Sequence, residues 1–424
     1  MQLNKRISSI LLWSIVSAAF IGPGTLATAT AAGAQYGTQL IWALVFSTIA
    51  CLVLQEMAAR ITIISGEGLG SIMKNKSKSQ FGVYFIGFSV VLGCAAYQAG
   101  NILGAISGVL LFTNFSKLGL ILATGLCCCA LLWKGSIKLI TTSLGILVAI
   151  MGLMFLFLAF QLPLSWSDVV EGATIPNIPD GASWIVLGLV GTTIVPYNLF
   201  LGAGVAKNEV LSNMRFGLSI SVLFGGIISI AILLVATNAS SESGFADVAN
   251  VLGSYLGNWA FVFMGVGLFA AGITSSITSP MAAAIITSSI IGHQDKNKVY
   301  RMTWISVLFI GMLFGMLDFK PLSVIIAAQA LNGLVLPLMV IVLIIFTNNK
   351  KIMGETSNSW LLNILCLFIL NIVLLIGFNN CLKSIEQIFT FKVESSAIRF
   401  MILQVSSILP LLYTIIRVIK SKKV

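Results

Sequence analysis

Charge is what this chain has least of. Only 9% of its 424 residues are Asp, Glu, Lys or Arg, while 58% are hydrophobic. A soluble domain carries roughly 25% charged residues, so a chain of this length cannot cover a water-facing surface. Its mean hydropathy is +1.03, and lipid is the solvent that fits. Histidine occurs once, as His293, beside Asp295 and Lys296 in a polar stretch. That is the setting of a solvated loop, and it leaves no His–acid cluster for catalysis. The seven cysteines, at 51, 94, 127, 128, 129, 366 and 381, show no paired metal-ligand spacing. The run Cys127–Cys128–Cys129 reads as soft side chains in a spanning helix. No disulfide framework, Walker loop or nucleophile elbow is present. Gly66-Glu67-Gly68-Leu69-Gly70 is glycine-rich but follows a spanning helix rather than a strand, and reads as a cytoplasmic turn. The sequence therefore indicates neither an enzyme nor an ATP-driven pump. It implies no cofactor, nucleic acid or obligate protein partner.

What is present is a series of apolar segments of about 20 residues without strand-like alternation, the length of a spanning helix. Twelve spans are expected: 10–32, 39–64, 82–113, 117–134, 138–161, 182–205, 216–238, 257–291, 300–318, 322–347, 358–378 and 397–418. The chain is expected to be a single all-α transmembrane domain over 1–424, with the bilayer as its surroundings. Lys5 and Arg6 before an apolar run resemble a signal peptide. The run continues to about Ala32, however, long enough to span.

The basic residues test this count. With the N-terminus in the cytoplasm, 19 of the 24 lysines and arginines fall on the cytoplasmic side. Only Lys117, Lys320, Lys383, Lys392 and Arg399 remain outside. A missed helix would scramble that split. The net charge of +11 is thus a topogenic signal. It favours a bacterial inner-membrane chain with both ends inside. All eight tryptophans, at 13, 42, 133, 166, 184, 259, 304 and 360, fall at or near span ends, as an interfacial belt would.

Two spans are interrupted. Gly22-Pro23-Gly24-Thr25 lies in the first and Val195-Pro196-Tyr197-Asn198 in the sixth. Proline removes a backbone donor and clashes with the preceding turn, and glycine permits unusual backbone angles. Freed backbone groups in hydrocarbon are tolerated only where they line a cavity. Two breaks, one opening each set of five helices, point to an inverted-repeat secondary transporter. Repeat one is expected over about 10–161 and repeat two over about 182–347, with extra helices over about 358–418. Pro23, Gly24 and Pro196 are the expected helix breaks. Such breaks offer carbonyls to cations and N–H groups to anions, and geometry alone does not choose between them.

These residues also carry a resemblance. Gly33-Ala34-Gln35-Tyr36-Gly37 and Leu54-Gln55-Glu56-Met57-Ala58-Ala59-Arg60 resemble the first and second helices of the natural resistance-associated macrophage protein family of divalent-metal transporters. Pro196-Tyr197-Asn198-Leu199-Phe200-Leu201 resembles its sixth-helix Pro-His-Asn-Leu-Tyr-Leu. Ala271–Thr278 is similar to its eighth helix, and Ala328–Pro337 with Met353-Gly354 to its tenth helix and following loop. The resemblance implies two inverted five-helix repeats, helices 1–5 and 6–10 with helices 1 and 6 broken, plus two extra C-terminal helices. It implies a substrate site at Gly22, Thr25, Thr192, Val195, Asn198, Gln329 and Asn332, with Gly22, Thr25, Thr192 and Gln329 toward a metal.

The departures bear on chemistry. The family's Asp-Pro-Gly-Asn carries the metal's carboxylate and amide, and the matching positions here are Gly22 and Thr25. Its sixth-helix methionine and alanine match Val195 and Thr192, and its sixth-helix histidine matches Tyr197. Third-helix acids of the family's proton path appear as Gln98 and Asn101. A dehydrated dication is normally offset by carboxylates, and preference for Mn, Fe or Co leans on sulfur or nitrogen. Glu56 is the one acid placed within a span, and it is expected to pair with Arg60 at i+4. Three readings follow. One is a divalent-cation transporter of altered selectivity, accepting a hard or hydrated ion such as Mg2+ with weak or no proton coupling. Another is a carrier of a small neutral or zwitterionic solute such as an amino acid. The last is a non-transporting membrane scaffold.

Overall fold

The structure is a computed structural model that describes residues 6, 8–10, 12–13, 21–77, 79–134, 138–239, 244–291, 296–317, 319–389, 393 and 395–422. Among these residues the only regular structure is helix. In chain order the helices are α1 (Pro23–Tyr36), α2 (Ile41–Ser65), α3 (Leu69–Lys76), α4 (Gln80–Leu110), α5 (Lys117–Lys134) and α6 (Lys138–Gln161). They continue as α7 (Trp166–Thr174), α8 (Ser183–Thr193), α9 (Pro196–Val205), α10 (Leu211–Ala236), α11 (Phe245–Leu256) and α12 (Asn258–Ile291). The chain closes with α13 (Lys296–Met316), α14 (Pro321–Thr347), the single turn α15 (Lys350–Met353), α16 (Trp360–Ile388) and α17 (Ser396–Lys422). His293 and Asp295 lie outside the described residues.

Eleven stretches among the described residues are long and apolar enough to cross a bilayer. The first, Pro23–Ser65, holds two expected spans in one, α1 and α2. The stretch Ser183–Asn208 contains the sixth-span break and is almost wholly buried. Around it, α12 runs along α4, and α14 packs on both α8 and α4. The core is therefore built on the two interrupted spans.

Cross-loop hydrogen bonds sort the loops into two ends. Arg60 binds Thr356 O and Asn358 Oδ1, and Lys74 Nζ donates to Ile291 O at 2.7 Å. At the opposite end Trp42 Nε1 donates to Asn177 O at 2.8 Å, and Lys117 Nζ to Leu317 O at 3.0 Å. Each of these bonds joins loops that the charge count placed on the same side.

The structure corrects several details. The connections between spans carry the short helices α3, α7 and α11, for which no helix was expected. The eleventh span, expected to end at 378, continues to Ile388. Its polar residues find partners there: Asn380 Nδ2 donates to Ser183 O at 3.3 Å and Lys383 Nζ to Ser183 Oγ at 2.6 Å. The tryptophan belt holds for five residues only. Trp13 and Trp304 are buried, and Trp42 nearly so, because Trp13 Nε1 donates to Glu209 Oε2, Trp42 to Asn177, and Trp304 packs edge-on against Trp133.

Candidate functional site

Proline shapes both breaks. Pro23 is the first residue of α1 and Pro196 the first of α9, where a missing N–H costs nothing. Gly22 before α1 is extended (φ −98°, ψ −175°), as is Val195 before α9 (φ −78°, ψ 121°). Neither helix has a side-chain N-cap, so first-turn N–H groups face the break. The preceding helix α8 ends at Thr193 and presents its last carbonyls to the same place. Two positive helix ends and one negative end thus meet in the core.

Side chains cross this junction. Thr25 Oγ1 and Thr192 Oγ1 are 3.0 Å apart and hydrogen-bonded, joining the first break to the sixth. Gly24 is pressed against the Gln329 carboxamide of α14 and the Thr192 hydroxyl, and a Cβ there would overlap Gln329. Gly191 likewise lets the α14 backbone at Gln329 touch α8. Asn198 is 4% exposed, and neither its Nδ2 nor its Oδ1 has a partner among the described residues. Gln329 Oε1 and Asn332 Nδ2 are buried and unpartnered as well. Each unsatisfied buried group of this kind costs about 1–3 kcal/mol, so these atoms are open to a polar partner. Gly22 offers only backbone, and the Val195 side chain is apolar and buried.

The structure thus gathers Gly22, Thr25, Thr192, Gln329 and the α9 start with Asn198 around the paired breaks. Asn332 stands one turn farther along α14, its Oδ1 against Gly93 of α4. Tyr97 was missed in the sequence. It lies in an apolar run of α4, and its hydroxyl faces Thr192 and Gln329 without completing a hydrogen bond. Its ring meets Tyr197 edge-on at 5.5 Å between centroids. Gln55 was also missed, and its Nε2 donates to Asn198 O at 3.1 Å. Both are polar-tipped residues within a span, which is the only signal the sequence offered.

Gln98 and Asn101 lie on the seam between α4 and α12, fully buried. Pro280 sits inside α12 and has no N–H for the carbonyl one turn back, that of Ser276. Gln98 Nε2 supplies the missing donor at 3.1 Å. Asn101 Nδ2 and the Ser275 and Ser276 hydroxyls of the same seam have no partner among the described residues.

Glu56 behaves as expected and a little more. It pairs with Arg60 at 3.2 Å and also with Arg215 of α10 at 2.8 Å. Among the described residues no group of three His, Cys, Asp or Glu could hold a metal ion. The chemistry at the breaks is carbonyl, hydroxyl and carboxamide.

Two proline-broken helices facing one another inside a bundle of spanning helices define a multi-pass membrane protein of the inverted-repeat transporter fold. A family model for natural resistance-associated macrophage protein-like sequences matches residues 14–383, and the chain belongs to this family. It is 27% identical over 364 residues to the divalent metal cation transporter MntH of Verminephrobacter eiseniae, covering 81% of this chain and 82% of that one. It is 26% identical over 379 residues to MntH of Erwinia tasmaniensis, covering 85% and 91%. Among solved structures, the Eremococcus coleocola manganese transporter superposes with a TM-score of 0.74 at 19% identity, over 99% of this chain and 95% of that one. Mhp1, a nucleobase-cation-symport-1 family transporter, follows the same fold at a TM-score of 0.58 and 12% identity, over 97% and 93%.

Proposed function

We propose that this chain is a secondary transporter that moves a divalent metal ion across the bacterial inner membrane without obligatory proton coupling. Both termini are on the cytoplasmic side. The repeats occupy about 10–161 and 182–347, and the helices over about 358–418 stand outside the repeat pair. The observation that carries this reading is the neutral, oxygen-rich junction of the two breaks, built from Thr25, Thr192, Asn198 and Gln329. The relatives' function supports the cargo class. A junction without carboxylate or sulfur does not offset full dehydration of a dication. It suits an ion that keeps part of its water, and Mg2+ dehydrates reluctantly. At the positions the resemblance assigns to a proton path, Gln98 and Asn101 do not titrate and Tyr197 offers a phenol in place of an imidazole, which supports uncoupled flux.

Proteoliposome uptake tests this. Mn2+ and Mg2+ should both enter down their gradients, and an imposed pH gradient should leave the rate unchanged. Failure of both ions to enter would overturn the proposal. The second reading, a neutral or zwitterionic solute, is favoured by one observation. The unpartnered atoms Asn198 Nδ2 and Oδ1, Gln329 Oε1 and Asn332 Nδ2 include donors as well as acceptors. A thermal-shift screen separates the two readings, because stabilisation by metal salts alone rejects the solute carrier.

A further inference from the structure

An apolar crevice of about 800 Å3 opens between α4, α13 and α14. Ala96 and Ala99 of α4, Phe314 of α13, and Ala327 and Leu331 of α14 line it, and Lys320 stands at its mouth. The small side chains leave the room, and Phe314 is 53% exposed along its rim. All three walls are spanning segments, so the crevice opens to the hydrocarbon of the bilayer.

Its dimensions and its charge specify an occupant. From Lys320 to Leu331 is about 17 Å at the ~1.5 Å helical rise per residue. The hydrocarbon core is about 30 Å thick, so the crevice runs the depth of one leaflet. Lys320 precedes the tenth span, at the end that the charge count places outside. Its ammonium is exposed and has no ion-pair partner among the described residues. Asp318 lies outside those residues. The helix α14 starts at Pro321 with no side-chain cap, and Val324 N is satisfied by Lys320 O at 3.3 Å. The N–H groups of Leu322 and Ser323 are therefore open at a positive helix end, beside a lysine, which is a phosphate-binding arrangement.

We propose that this crevice binds an anionic phospholipid of the outer leaflet. One acyl chain lies between α4 and α14, and the phosphate rests on Lys320 and the head of α14. Tyr97 and Gln329 point away from Ala99 of α4 and from Ala327 and Leu331 of α14 by helical periodicity, so the bound lipid backs the two helices that carry them. The proposal needs the outward placement of Lys320 and is independent of which solute is carried.

Native mass spectrometry of the full chain in mild detergent tests it, with added phosphatidylglycerol or phosphatidylethanolamine. The wild type should retain one phosphatidylglycerol in preference to phosphatidylethanolamine. Lys320→Gln should retain it about five-fold less, the weight of one lysine at a lipid surface. Ala327→Phe, which fills the open crevice, should expel it while melting close to the wild type. Lys74→Gln, at the other end, should leave retention unchanged. Equal retention of the two lipids, or wild-type retention by both Lys320→Gln and Ala327→Phe, would overturn the site.

Discussion

The hydroxyls of Thr25 and Thr192 are 3.0 Å apart, and this single hydrogen bond ties the broken first span to the broken sixth. Each threonine lies within a turn of a proline-induced break, so the bond couples the two breaks at the junction proposed above as the solute site.

Replacing Thr192 by valine keeps the shape and removes the oxygen. A hydrogen bond to a charged group is worth about 1.5–3 kcal/mol, so initial Mn2+ uptake should fall by roughly ten- to a hundred-fold. The melting temperature should shift by only a few degrees. Undiminished uptake would show that the pair serves packing alone.

Restoring the missing ligand types should restore soft-ion preference. Gly22 is extended, a conformation any residue adopts, and Val195 is at the matching position of the sixth span. The double variant Gly22→Asp, Val195→Met adds one carboxylate and one sulfur. Mn2+ affinity should rise by about tenfold or more, with selectivity over Mg2+, because one charge-assisted contact exceeds 1.4 kcal/mol. Isothermal titration of both ions reads this directly, and an unchanged Mn2+ to Mg2+ ratio would refute it.

The seam of α4 and α12 offers a double-mutant cycle. Gln98→Leu removes the donor to Ser276 O and should destabilise by about 1–3 kcal/mol. Pro280→Ala returns a backbone N–H to that carbonyl. In the Pro280→Ala background, Gln98→Leu should therefore cost markedly less. Additive thermal shifts in detergent would contradict the assignment.

The ion pairs of Glu56 differ by burial. Arg60 is 3% exposed and Arg215 is 55% exposed. Glu56→Gln leaves the Arg60 charge buried beside a neutral group and should cost about 3–5 kcal/mol. Arg215→Gln should cost less than about 1 kcal/mol. Thermal unfolding ranks the two, and equal losses would mean that the exposed pair matters as much as the buried one.

The architecture was readable from the chain because lipid leaves backbone only the helix or the closed barrel, and these apolar runs lack strand alternation. The runs of apolar residues, the lysines between them, and the two proline breaks are each local signals. What escaped was the part set by distant contacts. The helix α16 outruns its apolar run because Asn380 and Lys383 bond Ser183 across the fold. Trp13 looks like an interfacial anchor until Glu209 is seen to hold it. Tyr97 reads as one more aromatic in an apolar helix, and only the closeness of α4, α8 and α14 turns its hydroxyl toward the breaks. At Gln329 and Asn332 the family resemblance pointed to residues that hydropathy alone would not have chosen.

The bond from Gln98 to Ser276 O also limits what position 98 can become. An ionised carboxylate has no proton to give, and its charge would lie against a carbonyl oxygen that Pro280 has left bare. A side chain at 98 that releases and retakes a proton would alternately mend and open the adjacent helix. With proline at 280, the neutral carboxamide is the repair, and it holds position 98 to a side chain that keeps its proton.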